Sequence, residues 1–214
     1  MNFFYSTEIR WFFRESEAQF QRLKRAFLAL PHDNLQEQEP RVDYYYRLPD
    51  SPRFGIKLRM EGGGKMETKE QIADLGVQPF GKWGRGRILE WVKWSVPVQP
   101  DFSVEEEEAF RQNWMRVEKK RWLRMYEGKS GEEIEIDLQP ADAEKHLPAG
   151  GGVEWTEVQA AGQRWGTFGM EAFGEEKIRR KILKEEMEWL AEITEWPELP
   201  LEHSLSYYDW LARI

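Results

Sequence analysis

The chain has 214 residues, which suits one domain of generous size with a hydrophobic core of its own. Its formal net charge of −8 argues against a general nucleic-acid or membrane binder, although it leaves room for a local basic cavity. The lack of cysteine excludes disulfides, thiolate metal sites and a cysteine nucleophile.

The sequence starts with "MNFFYSTEIRWFF", which lacks the basic region and the apolar run of a signal peptide. No segment approaches ~20 consecutive apolar residues, so no membrane span is expected. A reducing compartment is compatible with a chain that has no cysteine. We therefore expect a cytoplasmic protein, either a monomer or a homodimer, without a nucleic-acid or membrane partner.

The first half of the chain predicts several strands and one helix. The helix is indicated by apolar residues at helical spacing and is stopped by Pro31. A loop is predicted at 71–87 because it holds four glycines and a proline, and its run "GKWGRGR" is interpreted as a lid over a barrel mouth. The predicted elements are a strand at 3–13, a helix at 15–30, strands at 41–48, 54–61 and 65–70, and a strand at 88–96.

The second half predicts two hairpins and further helices. In chain order the elements are a helix from 103 to about 114, strands at 117–126 and 133–138, a short helix at 140–147, a turn at 148–152, strands at 153–159 and 164–174, a long amphipathic helix at 175–193, and a last short helix within 204–214. The short connections favour antiparallel pairing. The prediction is one α+β domain over residues 1–214, built on one large sheet or a closed barrel, with a C-terminal helical segment at 175–214.

Charged residues occur in pairs two positions apart along the predicted strands, so each pair lies on one strand face. The pairs are Glu8 with Arg10, Arg41 with Asp43, Lys57 with Arg59, Glu67 with Lys69, Lys119 with Arg121, and Glu135 with Asp137. A single such pair is usually a solvated face. Here the opposite faces are apolar, as at Ile56 and Leu58, and the amphipathic helices can cover them. The charged faces would then line the inside of a barrel.

Charges inside a barrel cost several kcal/mol each unless they are matched. Lysine and arginine bind phosphate oxygens, and arginine can do so through two hydrogen bonds. Carboxylates hold Mg²⁺ or Mn²⁺, and such an ion also bridges phosphates. A cavity with both kinds of charge favours a polyphosphate chain over a sugar or an apolar ligand.

The same segments resemble the CYTH superfamily, the triphosphate tunnel metalloenzymes, over about residues 5–174. The similar motifs are "STEIR" for E-x-E-x-K, "DYYYRLP" for D-x-Y-Y-D-x-P, "GIKLRME" for G-I-x-L-R-x-R, "METK" for T-x-K, Lys119 with Arg121 for K-x-R, and "EIEIDL" for the strand ending in Asp. The chain departs from the pattern at Ser6, which stands where the family has its first Glu. It also lacks the final E-x-E, for which it offers Glu154 with Glu157, or Glu171.

The resemblance implies an eight-stranded antiparallel barrel that binds a triphosphate or polyphosphate ligand with Mg²⁺ or Mn²⁺ and is able to hydrolyse it. The residues assigned to phosphate binding are Arg10, Arg41, Lys57, Arg59, Lys69, Lys119 and Arg121, and those assigned to the metal are Glu8, Asp137, Glu154 and Glu171. The chain retains more of the cations of the family's motifs than of their carboxylates. Phosphate binding is therefore predicted more strongly than hydrolysis. No residue is assigned a catalytic role. The alternative is a non-catalytic module that binds an organic phosphate or a partner.

Overall fold

A computed structural model describes residues 3–31, 35–48, 51–60, 64–98, 108–129, 132–136 and 147–214. The strands in these ranges are β1 (Phe4–Arg14), β2 (Gln36–Glu37), β3 (Arg41–Tyr46), β4 (Phe54–Arg59), β5 (Lys65–Phe80), β6 (Gly84–Pro97), β7 (Trp114–Lys129), β8 (Glu132–Ile136), β9 (Gly150–Ala160) and β10 (Gln163–Phe173). The helices are α1 (Ala18–Leu28), α2 (Glu108–Asn113), α3 (Glu176–Ile193) and α4 (Tyr207–Leu211), with a 3₁₀ turn at Leu201–His203. The start of the predicted helix at 103–114 and most of the short helix at 140–147 lie outside the described residues.

Eight of the strands close into a barrel. Their order is β7-β3-β4-β5-β6-β1-β10-β9, and β9 pairs with β7 again to complete the circle. Every neighbouring pair is antiparallel. The predicted α+β fold with an eight-stranded antiparallel barrel is therefore confirmed, while β2 and β8 add short extensions to β7.

The outer face of the barrel is covered by two amphipathic helices. Helix α1 buries Phe20 and Phe27 against it, and α3 buries Ile182 and Leu190. Alternation along β1 sends Trp11 outward into this core, where it is fully buried, while its neighbours in sequence face the barrel interior. The larger hydrophobic core thus lies between barrel and helices, while a smaller apolar cluster that includes Phe12 and Trp210 fills one end of the barrel interior.

Helix α3 is also held by a buried ion pair on the outer wall. Arg179 Nη2 donates to Glu90 Oε1 over 3.1 Å, and Arg179 Nε donates to Thr7 Oγ1 over 3.1 Å. Arg180 adds a second guanidinium to the same carboxylate, with Nη2 2.7 Å from Glu90 Oε2. Because each of these charges has a partner, their burial is tolerated. None of the helices in the described ranges has the length and hydropathy that a bilayer crossing needs.

The predicted loop at 71–87 is wrong, and with it the lid over the barrel mouth. Strand β5 continues to Phe80 and β6 begins at Gly84, so only three residues turn the chain. Two register shifts in β5, one of them next to Gly76 with φ 81°, absorb the irregular sequence as β-bulges. The glycines at 150–152, predicted as part of a turn, lie within β9, where a Cβ at Gly150 would come 2.6 Å from Tyr126 O.

Trp11→Ala should lower the free energy of unfolding by about 3–5 kcal/mol, the usual cost of removing a buried indole. Trp11 is fully buried, stacks on Phe168 with ring centroids 6.0 Å apart, and donates its indole N–H to Arg85 O over 3.1 Å. Urea unfolding followed by tryptophan fluorescence measures the change. Ile72→Ala, at a side chain that is 45% exposed, is the control and should cost less than about 1 kcal/mol. Equal losses in both variants would contradict a core between barrel and helices.

Candidate functional site

The barrel encloses a cavity of about 580 Å³ whose wall is dominated by charged side chains. The cations that line it are Arg10, Arg41, Lys57, Arg59, Lys65, Lys69, Lys93, Lys119 and Arg121. The carboxylates that line it are Glu8, Glu37, Glu39, Glu67, Glu154 and Glu171. A chain with net charge −8 thus keeps a local excess of cations in its interior.

The structure brings the residues singled out in the sequence together in this cavity. All seven cations assigned to phosphate binding line it, and so do three of the four carboxylates assigned to a metal. The fourth, Asp137, lies outside the described residues. The sequence left open which glutamate near the end of the barrel faces inward, and both Glu154 and Glu171 do so, whereas Glu157 points away and pairs with Lys24 over 2.6 Å. The functional roles of these residues remain predictions.

The Asp43 carboxylate is surrounded by cations from β3, β4 and β7. Its carboxylate is fully buried and lies 2.9 Å from Arg59 Nε, 3.3 Å from Lys119 Nζ and 3.7 Å from Arg41 Nε. Burial alone would raise the pKa of Asp43, but the surrounding cations, with Lys57 and Lys119 foremost, hold that pKa far below its usual range. Asp43 is therefore ionised and serves three cations at once.

Glu154 on β9 holds a second cluster, on the other side of β7 from Asp43. Arg10 Nη1 lies 2.5 Å from Glu154 Oε1, and Arg121 Nη1 lies 3.1 Å from Oε2. Arg10 also donates to Thr167 Oγ1 over 2.6 Å. Burial would raise the pKa of Glu154, but the two guanidinium groups lower it well below the normal value. The guanidinium of Arg10 is thereby fixed in the middle of the cavity wall.

Lys69 lies between two carboxylates that face each other across β1 and β10. Glu8 and Glu171 are register partners on these strands. Lys69 Nζ reaches them from β5 and lies 2.7 Å from Glu8 Oε2 and 3.7 Å from Glu171 Oε1. Burial would lower the pKa of Lys69, but the two carboxylates raise it above its usual value, so the amine is charged.

The Lys119 amine is buried and has a pKa well below its usual value. Burial, together with repulsion from Lys57 and Arg41, lowers the pKa of Lys119 well below its usual value, although Asp43 opposes the shift. Its Nζ lies 2.5 Å from Tyr45 Oη and 4.0 Å from the centroid of the Tyr207 ring. A buried amine with a lowered pKa in a cavity marks a candidate functional group.

One end of the cavity, called its floor, is formed by side chains of α4 rather than of a strand. Tyr207 and Tyr208 line the cavity, and Trp210 stacks on Phe12 with ring centroids 4.9 Å apart. Trp210 also packs edge-on against Trp165, 5.8 Å away. These rings fill the end of the barrel at which β1 ends and β10 begins.

Sequence reasoning missed several cavity residues. Gln38 Oε1 accepts from Arg121 Nε over 2.7 Å and from Arg41 Nη1 over 3.4 Å, but Gln38 lies outside the strands and no pattern marks it. The alternation that singled out Asp43 extends to Tyr45 on β3 and could have found it. Tyr207 had no such signal, because only the packing of α4 places it in the barrel.

The carboxylates of the cavity do not fit a resident Mg²⁺ or Mn²⁺. Within the described ranges no group of three or more His, Asp or Glu side chains is placed to hold a metal ion. Glu8 and Glu171 are the one cross-strand neighbour pair among the assigned ligands that the structure describes, and the Lys69 amine is already paired with both. Glu154 is neutralised by two guanidinium groups. The metal-ligand role that the resemblance implies is therefore not supported by the surroundings of these side chains.

Glu154→Gln should lower the free energy of unfolding by about 3 kcal/mol, because it leaves the buried guanidinium groups of Arg10 and Arg121 without their carboxylate. Glu157→Gln is the matched control on the same strand. The Glu157–Lys24 pair is partly exposed, so its loss should cost less than about 1 kcal/mol. Chemical denaturation of both variants measures the difference, and equal losses would contradict a buried charge cluster in the barrel.

Stability should fall on acidification because Asp43, Glu67 and Glu154 have folded-state pKa values below their usual range. The unfolded chain takes up protons near the ordinary values of about 4, and the folded protein does not until a lower pH. The stabilisation is thus fully present above about pH 4.3 and is lost as the pH falls through the folded-state values. Urea unfolding between pH 7 and pH 3 should show this decline, and Glu154→Gln should make it shallower; an unchanged slope would contradict the assignment.

Comparisons with known proteins find distant similarity to solved structures. No protein-family model and no curated protein matches the chain. The solved structures that the chain is similar to include a conserved hypothetical protein from Pyrococcus furiosus (TM-score 0.46, 12% identity, covering 95% of this chain and 98% of that chain), a proposed adenylate cyclase from Bacillus halodurans (0.38, 13%, 90% and 94%), and the RNA triphosphatase Pct1 of S. pombe in complex with the Spt5 CTD (0.44, 8%, 91% and 86%). Identities this low leave the function to this chain's own residues. The closed antiparallel barrel and its charged cavity are what the resemblance of the motifs implies.

Proposed function

We propose that the barrel binds a triphosphate- or polyphosphate-type ligand in its charged cavity. The observation that carries the proposal is the convergence of nine cations, from six of the eight barrel strands, on one cavity of about 580 Å³. This volume lies within the range of about 300–1,000 Å³ that is usual for small-molecule sites. An enclosed site of this size takes a small anion and not a nucleic-acid duplex.

A chain of phosphates fits the distribution of the cations better than a single phosphate does. Arg10 lies on β1, Lys57 and Arg59 on β4, and Lys119 and Arg121 on β7, so the positive groups surround the cavity. A ligand with several linked phosphate groups can contact several walls at once. Guanidinium groups bind such groups through paired hydrogen bonds, and lysines add point charges.

The ligand would share these cations with the carboxylates that already lie inside the barrel, because a guanidinium or ammonium group has several N–H donors. Arg59 and Lys119 lie against Asp43, and Arg121 lies against Glu154 and the neutral amide of Gln38. These cations have already lost most of their water on folding, so a bound phosphate does not need to dehydrate them again. The terminal group of a phosphate chain also carries more negative charge than one carboxylate, which strengthens its attraction to these cations.

The wider arrangement of the protein is part of the same proposal. We take residues 1–214 as one domain in which the segment 175–214 covers the barrel and floors its cavity. The protein would act in the cytoplasm, as a monomer or a homodimer, on a small phosphate-containing molecule, without nucleic-acid or membrane partners.

Hydrolysis of the bound ligand is the second candidate function. The observation in its favour is the Lys119 amine, whose pKa is lowered by burial and whose Nζ lies 2.5 Å from Tyr45 Oη at the floor of the cavity. An amine whose pKa is lowered gives up its proton more readily than an ordinary lysine, which is a property that proton transfer needs. The metal ion that the resemblance implies for this reaction is not included, because the carboxylates present do not fit it.

Arg59→Ala and Lys119→Ala should each weaken binding of tripolyphosphate by about tenfold or more, since a hydrogen bond to a charged group contributes about 1.5–3 kcal/mol. Isothermal titration calorimetry measures the affinity, and thermal melting checks that both variants are folded. Arg116→Ala is the matched control on β7, because Arg116 is exposed and pairs with Glu118. Unchanged affinity in both cavity variants, or an equal loss in the control, would overturn the proposal.

Phosphate release from tripolyphosphate, thiamine triphosphate and ATP, each with Mg²⁺ or Mn²⁺, separates the two candidates. Tight binding of tripolyphosphate without release supports a binding module. Release that Lys119→Ala abolishes supports hydrolysis. If the protein neither binds nor hydrolyses any of these molecules, the proposed ligand class is wrong.

A further inference from the structure

The Glu8–Lys69–Glu171 cluster is built around a cation that the chain itself supplies. Glu8 and Glu171 are directly opposite on the antiparallel strands β1 and β10, and both face the cavity. Two like charges in this position destabilise a sheet unless a cation lies between them. The Lys69 amine provides that cation, at 2.7 Å from Glu8 and 3.7 Å from Glu171.

This cation is held firmly in place. The Lys69 side chain is 17% exposed and Glu8 is 7% exposed, so the pair is largely withdrawn from solvent. The amine also lies 5.1 Å from the centroid of the Trp91 ring, which confines it from a further side. Removal of the amine from the cluster would leave the buried Glu8 carboxylate without its ion pair, at a cost of several kcal/mol, whereas Glu171 is 38% exposed.

A divalent ion at the same place would meet two obstacles. It would need the carboxylate oxygens that Lys69 already engages, and its charge would repel an amine that lies within 4 Å of both carboxylates. A side chain that is covalently attached also competes at a fixed, high local concentration. The amine thus has the advantage over Mg²⁺ or Mn²⁺ at this position.

We infer that Lys69 takes the place of a divalent metal between Glu8 and Glu171, so that the cavity accepts its polyphosphate ligand as the metal-free anion. The first part stands on the geometry of the three side chains alone. The second part rests on the proposed function. Lysine and arginine side chains, and not a bound metal, would then neutralise the phosphate groups.

Mn²⁺ titrated alone into the protein, without phosphate, tests the first part by calorimetry. Lys69→Met removes the amine, keeps an unbranched side chain one atom shorter, and frees two adjacent carboxylates; this variant should bind Mn²⁺ at least tenfold more tightly than the unaltered protein. Glu8→Gln added to Lys69→Met should abolish the gain. Lys57→Met is the matched control, because it also removes a buried cavity lysine but frees only Glu67, its 2.6 Å partner, and should gain no Mn²⁺ affinity.

Two results would overturn the first part: no gain of Mn²⁺ affinity in a folded Lys69→Met protein, or Mn²⁺ binding by the unaltered protein that Glu8→Gln abolishes. Lys69→Gln replaces Lys69→Met if thermal melting shows that the methionine variant does not fold. The measurement on the unaltered protein and its Glu8→Gln variant decides the matter independently of either.

Tripolyphosphate binding to the unaltered protein, measured with EDTA and then with excess Mg²⁺, tests the second part. Affinity in EDTA should be equal to or tighter than that with Mg²⁺, because chelation reduces the charge of the ligand. Binding that requires Mg²⁺ would overturn the inference. If tripolyphosphate binds under neither condition, the proposed function fails, while the Mn²⁺ experiment still decides the role of Lys69.

Discussion

The structure depends on one electrostatic constraint: charges enclosed in a barrel are stable only when each has a partner. Three carboxylates are the partners of most of the cations in the cavity. Asp43 serves cations from three strands, Glu154 serves two guanidinium groups, and Glu8 serves Lys69. These ion pairs join strands that are distant in sequence, so they fix the position of the cations before any ligand arrives. Such a preformed arrangement of charge is what recognition of an anion needs, because few side chains have to be reordered on binding.

The same constraint explains why the strands have a charged inner face and an apolar outer face. A charged interior cannot act as the hydrophobic core, so the core lies outside the barrel, where α1 and α3 cover the apolar faces. Trp11 is part of that outer core, while its neighbour Arg10 belongs to the cavity. Substitutions at neighbouring positions of one strand therefore act on different properties, one on packing and one on charge. The stability of this protein resides mainly in a layer that a ligand in the cavity does not touch.

Strand alternation predicted which charged side chains share a face, and the resemblance of the motifs implied a closed eight-stranded barrel where the pattern alone left one large sheet open. Sequence reasoning failed where the structure depends on register or on distant packing. The choice between Glu154 and Glu157 was decided by the phase of β9, and a strand shifted by one residue would have exchanged them. The range 71–87 was predicted as a loop because its glycines and proline resemble turn signals, whereas Gly76 lies at a bulge of β5 and Pro79, Gly84 and Gly86 lie in paired strands. No sequence pattern indicated that Tyr207 and Tyr208 line the floor of the cavity, because they belong to a short helix that packs against the barrel from outside the sheet.

That floor has a consequence for how the protein is made. Synthesis proceeds from the N-terminus and domains fold as the chain emerges, so all eight barrel strands are available before residues 204–214. A nascent barrel can pair its strands and its ions at that stage, before the residues that floor its cavity have been made. Docking of α4, with Trp210 against Phe12 and Trp165, then closes the end of the barrel at which β1 ends. Maturation of the binding site is thus a separate event from closure of the sheet.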